Sequence, residues 1–273
     1  MSAGTTPRRR ARGVRQLREQ LSGRDHAILW QVGELRLMSA RQIEAVHFPI
    51  TEHDTAQAAA RARQRVLARL SSQGLLSPLA RRIGGVRAGS AGFVYGLGET
   101  GQRVLRLEGP RRRIREPTER FFGHTLGICQ LVVDLIVASR QGLLELMICQ
   151  AEPQCWRDFP GLGGRQLLRP DLFVALGVGD YELRWFAELD TGSESLPTVL
   201  RKCHQYHAYY QSGSEQAAHS VFPRVCWIVP DERRAEGVRR VISRDRSLPE
   251  RLFTVATTEQ AMTALRGATP CRT

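Results

Sequence analysis

The chain has 273 residues, 42% of them apolar, with 40 Lys+Arg against 27 Asp+Glu and a formal net charge of +13. That size and composition allow a real core, in one large domain or two small ones, and exclude a wholly disordered chain. The longest apolar stretch, Leu126 to Ala138, carries Gln130 and Asp134 and falls short of a membrane span, and no apolar segment follows the Arg-rich start as a secretory signal requires.

The opening TTPRRRARGVRQLR reads as a basic arm, disordered to about Val14, and the arm is taken as residues 1–20. From Arg24 to Arg36 the spacing of Ala27, Ile28, Leu29, Val32 and Leu35 is helical. Ser39 caps a second short helix, with Gln42 at the capping-box position, and Pro49 ends it. A third helix runs from about His53 to Gln73, turns Ala59, Val66, Leu67 and Leu70 inward, and stops at Gly74. Leu75 to Ile83, a Gly/Ser/Arg tip and FVYGLG then make a hairpin with an extended loop.

Three short helices and such a hairpin follow the winged helix-turn-helix plan, here over residues 21–109. The third helix would enter the major groove with Arg61, Arg63, Arg65 and Arg69, while Arg81, Arg82 and Arg87 of the wing lie along phosphates. Residues 1–116 hold 22 Arg and 9 acids, so the whole charge excess sits here, and residues 117–273 are neutral. That concentration favours nucleic acid over a merely solvated basic face. A short helix, Thr100 to Leu107, and the basic linker GPRRRIREP (109–117) close this domain.

Residues 118–273 read as a nuclease-like α/β domain, which makes the chain α+β. A helix over 118–140 is followed by strands at Leu143–Gln150, Leu167–Leu176 and Tyr181–Asp190, with a loop at Gly161–Gly164. A helix at Ser195–Gln211, a strand at Val225–Val229, a helix at Asp231–Ser243, a strand at Phe253–Ala256 and a last helix from Thr258 complete it. Asp171 opens the second of the first three strands. Glu188 and Asp190 lie two apart near the end of the third and so share a face. Three clustered carboxylates repel one another, and a hard cation such as Mg²⁺ relieves this and can activate water against a phosphodiester.

RPDLFVAL, FAELDTGSES and LRKCHQYHAYY in order, with LSGRDHAILWQV and GGVRAGSAGFVYGLGETG before them, resemble the replication-relaxation family of plasmids and other mobile elements. The likeness covers roughly residues 20–230. It implies a role in plasmid replication and relaxation. It also implies a restriction-endonuclease-like, PD-(D/E)xK-like fold for the second domain, with Asp171 and Glu188 as ligands of Mg²⁺ or Mn²⁺. The signature wants Lys where this chain has Asp190. Only one of the 40 basic residues is a lysine, Lys202, a ratio that first suggests a GC-rich coding bias.

Lys202 is therefore the one candidate for a migrated catalytic lysine. From Ser195 it lies about 10 Å along the helix at ~1.5 Å per residue. Three strand residues at ~3.3 Å each run back the same distance, level with Glu188. The stripe Leu196, Val199, Leu200, Cys203, His207 and Tyr210 packs inward, with Lys202 on its flank. The catalytic candidates are thus Asp171, Glu188, Asp190 and Lys202, the first three also the metal ligands.

Other constellations are weaker. Cys149, Cys155, His204 and His207 match no closed zinc spacing, and the six cysteines form no CxxC pair, so they read as small buried hydrophobes. Tyr206, Tyr209 and Tyr210 beside two histidines suggest a relaxase. That chemistry wants histidines one residue apart on a strand, and here they are three apart on a helix. The expectation is a cytoplasmic protein that binds double-stranded DNA, works beside other replication or relaxosome proteins, and is compatible with a homodimer. A non-catalytic regulator and a structural adaptor are the competing readings.

Overall fold

The computed structural model describes residues 7–79, 93–105, 119–161 and 163–267, with side chains placed from residue 13 and, after the second gap, from residue 122. It forms two compact units, residues 1–133 and 134–273, in a mixed α+β architecture.

In the first unit α1 spans Pro7–Gln20, α2 Gly23–Leu35, α3 Ala40–His47, α4 Ala56–Ser72 and α5 Glu99–Leu105. The arm expected over the first 20 residues is therefore helical from Pro7. Val14, Leu17 and Leu21 recur at i, i+3 and i+7 and are partly or fully buried, and α1 packs on α5. Both α2 and α3 start on complete capping boxes, Ser22 with Asp25 and Ser39 with Gln42, and Thr55 caps α4. Each such cap contributes about 1 kcal/mol by satisfying backbone N–H groups that have no helical partner.

Strands β1 (Met38–Ser39), β2 (Leu76–Leu79) and β3 (Val94–Leu97) form an antiparallel sheet in the order β1-β3-β2. The sequence GLGETG serves the turn behind it. A Cβ on Gly98 would sit 2.1 Å from the Gly74 carbonyl oxygen, and one on Gly101 2.1 Å from that of Leu75. Only glycine allows backbones this close. Arg81, Arg82 and Arg87 of the expected wing, and the expected linker 109–117, lie outside the described residues.

Helix α6 (Glu119–Arg140) crosses the division, which falls between Val133 and Asp134 rather than at the basic segment before it. The reason is its anchoring to the first unit. Gln42 Nε2 donates to the Leu126 carbonyl at 2.9 Å, Cys129 Sγ to that of Leu37 at 2.8 Å, and Phe122 and Leu126 pack on Leu37, Leu79 and Val94. By length and composition alone Phe122–Arg140 is apolar enough to cross a membrane, more so than the sequence suggested. Ile128, Cys129, Leu131, Val132, Val133 and Leu135 are nevertheless buried in protein.

The second unit holds β4 (Glu145–Ala151), β5 (Arg157–Gly161), β6 (Gly164–Leu168), β7 (Leu172–Val178), β8 (Tyr181–Leu189), α7 (Leu196–Ser212), α8 (Ser214–His219), β9 (Arg224–Val229), α9 (Glu232–Arg244), β10 (Phe253–Thr257) and α10 (Ala261–Leu265). Five strands form one sheet in the order β10-β9-β8-β7-β4; β4, β7 and β8 are antiparallel neighbours, and β8, β9 and β10 run parallel.

Two local expectations change. Gly161 and Gly164 form the last pair of an antiparallel β5–β6 ladder, and the strand expected over Leu167–Leu176 is broken at 169–171. Pro170 has no N–H to give a ladder there. On one face of the sheet Phe173, Phe186, Val225, Trp227 and Val255 pack with Val199, Cys203, Tyr206 and Tyr209 of α7 and Ala235 and Val238 of α9.

Candidate functional site

The site follows from strand register. Leu172 pairs with Ala187 in the antiparallel β7–β8 ladder, which sets Asp171 opposite Glu188. Glu188 follows Phe186 by two residues and so points to the same face, toward α7. There it is buried, 1% exposed, and both its oxygens accept hydrogen bonds: Oε2 from Lys202 Nζ and Oε1 from the Tyr206 hydroxyl. Lys202 Nζ also lies 4.0 Å from Asp171 Oδ1, and Asp171 Oδ2 accepts from the Leu189 backbone N–H at 2.8 Å. One ammonium thus stands between two carboxylates.

Burial pushes the Glu188 carboxyl up to about 8, opposed by Lys202 and reinforced by the charge of Asp171. Burial alone would lower the Lys202 ammonium, but Glu188 and Asp171 together hold it above its ordinary value. Burial and the neighbouring Glu188 charge also raise the Tyr206 hydroxyl well above the usual phenol range. The hydroxyl therefore stays protonated and donates.

Asp190 does not join this group. It is 2% exposed, and its Oδ2 accepts from Arg234 Nε at 2.6 Å while its Oδ1 accepts from the Gly192 N–H at 2.7 Å. Arg234 Nη2 further donates to the Glu194 carbonyl at 2.6 Å, so this pair clamps α9 to the loop before α7. The reason is positional. Asp190 lies beyond the end of β8, where the chain turns under the first turn of α9, and the arginine there neutralises it.

The structure thus brings Asp171, Glu188 and Lys202 together and leaves Asp190 apart. Sequence reading weighed Tyr206 only within a relaxase pattern and missed Arg234 and Glu194, the last of which adds to the negative field on Lys202. The packed face of α7 also differs, since Val199, Cys203, Tyr206 and Tyr209 are buried while Tyr210 is 43% exposed. Tyr206 follows Cys203 by three and Val199 by seven residues, a spacing that could have marked it.

Of the three carboxylates expected as metal ligands, Asp171 and Glu188 meet and Asp190 does not. Mg²⁺ takes one or two carboxylates and completes its shell with water and phosphate oxygens, and the position between Asp171 and Glu188 is taken by the Lys202 ammonium. Among the described residues no cluster of three or more His, Cys, Asp or Glu side chains could hold a metal. The thiols of Cys155 and Cys203 beside it are pushed up to about 12 by burial and read as inert packing.

In the first unit α4 exposes Arg61 and Arg65, with Gln57 and Gln64 on the same face. Arg63 is instead bound to Glu44, and Arg69 Nη2 lies 2.6 Å from Asp25 Oδ1, a carboxylate 3% exposed. Two of the four arginines expected on this helix therefore carry structural ion pairs.

A family model described as replication-relaxation matches residues 29–225, well over half of the chain. Neither a curated protein nor a solved structure matches it.

Proposed function

The chain belongs to the replication-relaxation family, which gives it a role in the replication of plasmids or mobile elements, and we propose that it acts there as a DNA-binding protein with a metal-dependent nicking centre in its second unit. Supporting the binding role, the order α2-β1-α3-α4-β2-β3 with its three-stranded antiparallel sheet is compatible with a winged helix. Helix α4 offers Arg61 and Arg65 to duplex DNA, and the segment joining β2 to β3 carries Arg81, Arg82 and Arg87.

The order α6-β4-β7-β8-α7-β9 supports a PD-(D/E)xK-like core, and the observation that carries the nicking role is the convergence of Asp171, Glu188 and Lys202. Asp171 and Glu188 would hold Mg²⁺ or Mn²⁺, which when bound polarises a phosphodiester and activates water. Lys202 contributes a positive charge at the same edge, in the role left open by Asp190. Tyr206 holds Glu188 in one rotamer, and the Leu189 N–H does the same for Asp171.

A nicking assay on supercoiled plasmid with Mg²⁺ or Mn²⁺ tests this. Wild type relaxes or linearises the plasmid, while Asp171→Ala and Lys202→Ala do not. The second reading is a non-catalytic regulator, favoured by the occupation of both Glu188 oxygens within a buried setting. Salt-sensitive duplex binding with no cleavage in either cation would establish it instead.

A further inference from the structure

The turn that follows β4 is tied to the segment that enters β7. Glu152 N donates to the Asp171 carbonyl at 3.3 Å, and Cys155 Sγ donates to the Pro170 carbonyl at 3.0 Å. These two ties set the next residue of the turn, Trp156, beside Arg169, whose guanidinium carbon lies 5.0 Å from the centre of the indole ring. Trp156 itself packs on the core.

Arg169 is exposed and pairs with no carboxylate among the described residues, although it stands two positions before Asp171. Two other arginines of this unit, Arg157 and Arg234, are already engaged. Arg157 donates to Glu215 and lies over Phe173 and Phe186, and Arg234 is held by Asp190. A DNA phosphate approaching Asp171 and Glu188 meets two carboxylates against one ammonium, so a further cation is needed at that edge. A guanidinium stacked on tryptophan is already restrained, keeps its N–H fork free and loses little freedom on meeting a phosphate.

We propose that Arg169, presented on the face of Trp156, is a phosphate-holding residue that takes a backbone phosphate of the DNA strand lying at the Asp171–Glu188–Lys202 edge. The ligand rests on the DNA-binding reading above.

The test measures binding of the full chain to a short fluorescent duplex in EDTA over a range of salt, for wild type, Arg169→Ala, Arg169→Lys and, as a control for generic charge loss, Arg246→Ala, an exposed arginine in the loop after α9. Each phosphate contact contributes about 0.9 to the slope of log K against log salt. Arg169→Ala lowers that slope by about one, Arg169→Lys restores most of it, and Arg246→Ala leaves it unchanged. In the nicking assay Arg169→Ala raises KM several-fold and leaves kcat within about two-fold. An unchanged slope in Arg169→Ala, or an equal loss in Arg246→Ala, overturns the assignment while leaving DNA binding intact. Failure of the wild type to bind duplex at all overturns both readings together.

Discussion

Lys202 Nζ, carried on α7, stands 4.0 Å from Asp171 Oδ1 at the entry of β7 while it donates to the buried Glu188 on β8. A single ammonium thus offsets two carboxylates that the strand register sets side by side.

Lys202→Met destabilises the metal-free protein more as pH rises. Burial raises the Glu188 carboxyl to about 8 in the native state, far above its unfolded value of about 4.3. A raised native value means the folded state binds the proton more tightly, so stability from this group falls as pH climbs between those values. Lys202 counters that fall, and its loss removes the counterweight. Thermal melts in EDTA give a larger wild-type-to-variant difference at pH 9 than at pH 6. The same difference at both would show that the ammonium does not act on Glu188.

Tyr206→Phe leaves Glu188 Oε1 buried without its donor and costs about 1–3 kcal/mol. Urea denaturation measures it. The ring remains to pack on Phe186, 5.6 Å away between centroids, so a loss of this size reports the hydroxyl rather than a cavity.

Asp190→Ala and Arg234→Ala each destabilise by about 3 kcal/mol, since either leaves a buried charge unpaired. The double variant loses much less than the sum. Asp190→Asn, which keeps the shape and the Gly192 contact, retains nicking per folded molecule while Asp171→Ala abolishes it. Abolished nicking in a stable Asp190→Asn protein would return Asp190 to the metal.

On α4 the arginines separate by role. Arg61→Ala and Arg65→Ala weaken duplex binding, measured by anisotropy, with no change in Tm. Arg69→Ala instead lowers stability by about 1 kcal/mol at pH 7, because Asp25 loses its guanidinium. Burial opposes ionisation of Asp25, yet the Ser22 hydrogen bonds and Arg69 hold its carboxyl below the usual range. The stability they contribute is present at neutral pH and lost as pH falls through that lowered value, so the Arg69→Ala deficit shrinks in acid.

Much of the local structure was legible in the chain. Ser39 with Gln42, Gly74 after α4, Ser195 before α7 and Asp231 before α9 are stop and start signals whose hydrogen bonds close within a few residues. The carboxylates of Asp171 and Glu188 were equally visible, because alternation along a strand fixes the face each residue takes. The β5–β6 ladder was not, since a five-residue strand containing Pro160 has little alternation to read. The anchoring of α6 to the first unit was hidden as well, because its apolar residues cover most of its sides and do not say which neighbour they meet.

The sequence by itself determined that the chain is α+β, that its charge excess lies in the first 116 residues, and that Lys202 is the only lysine available to two strand-end acids. Caps, periodicity and composition act over a few residues and need no knowledge of the rest. Only the tertiary structure decided that Lys202 reaches Glu188 and Asp171 while Arg234 takes Asp190, and that Arg63 and Arg69 serve ion pairs rather than an open face. Which cation reaches a buried carboxylate depends on how far elements distant in sequence slide and tilt against one another. The cost of leaving a charge unpaired then selects the nearest partner that packing supplies.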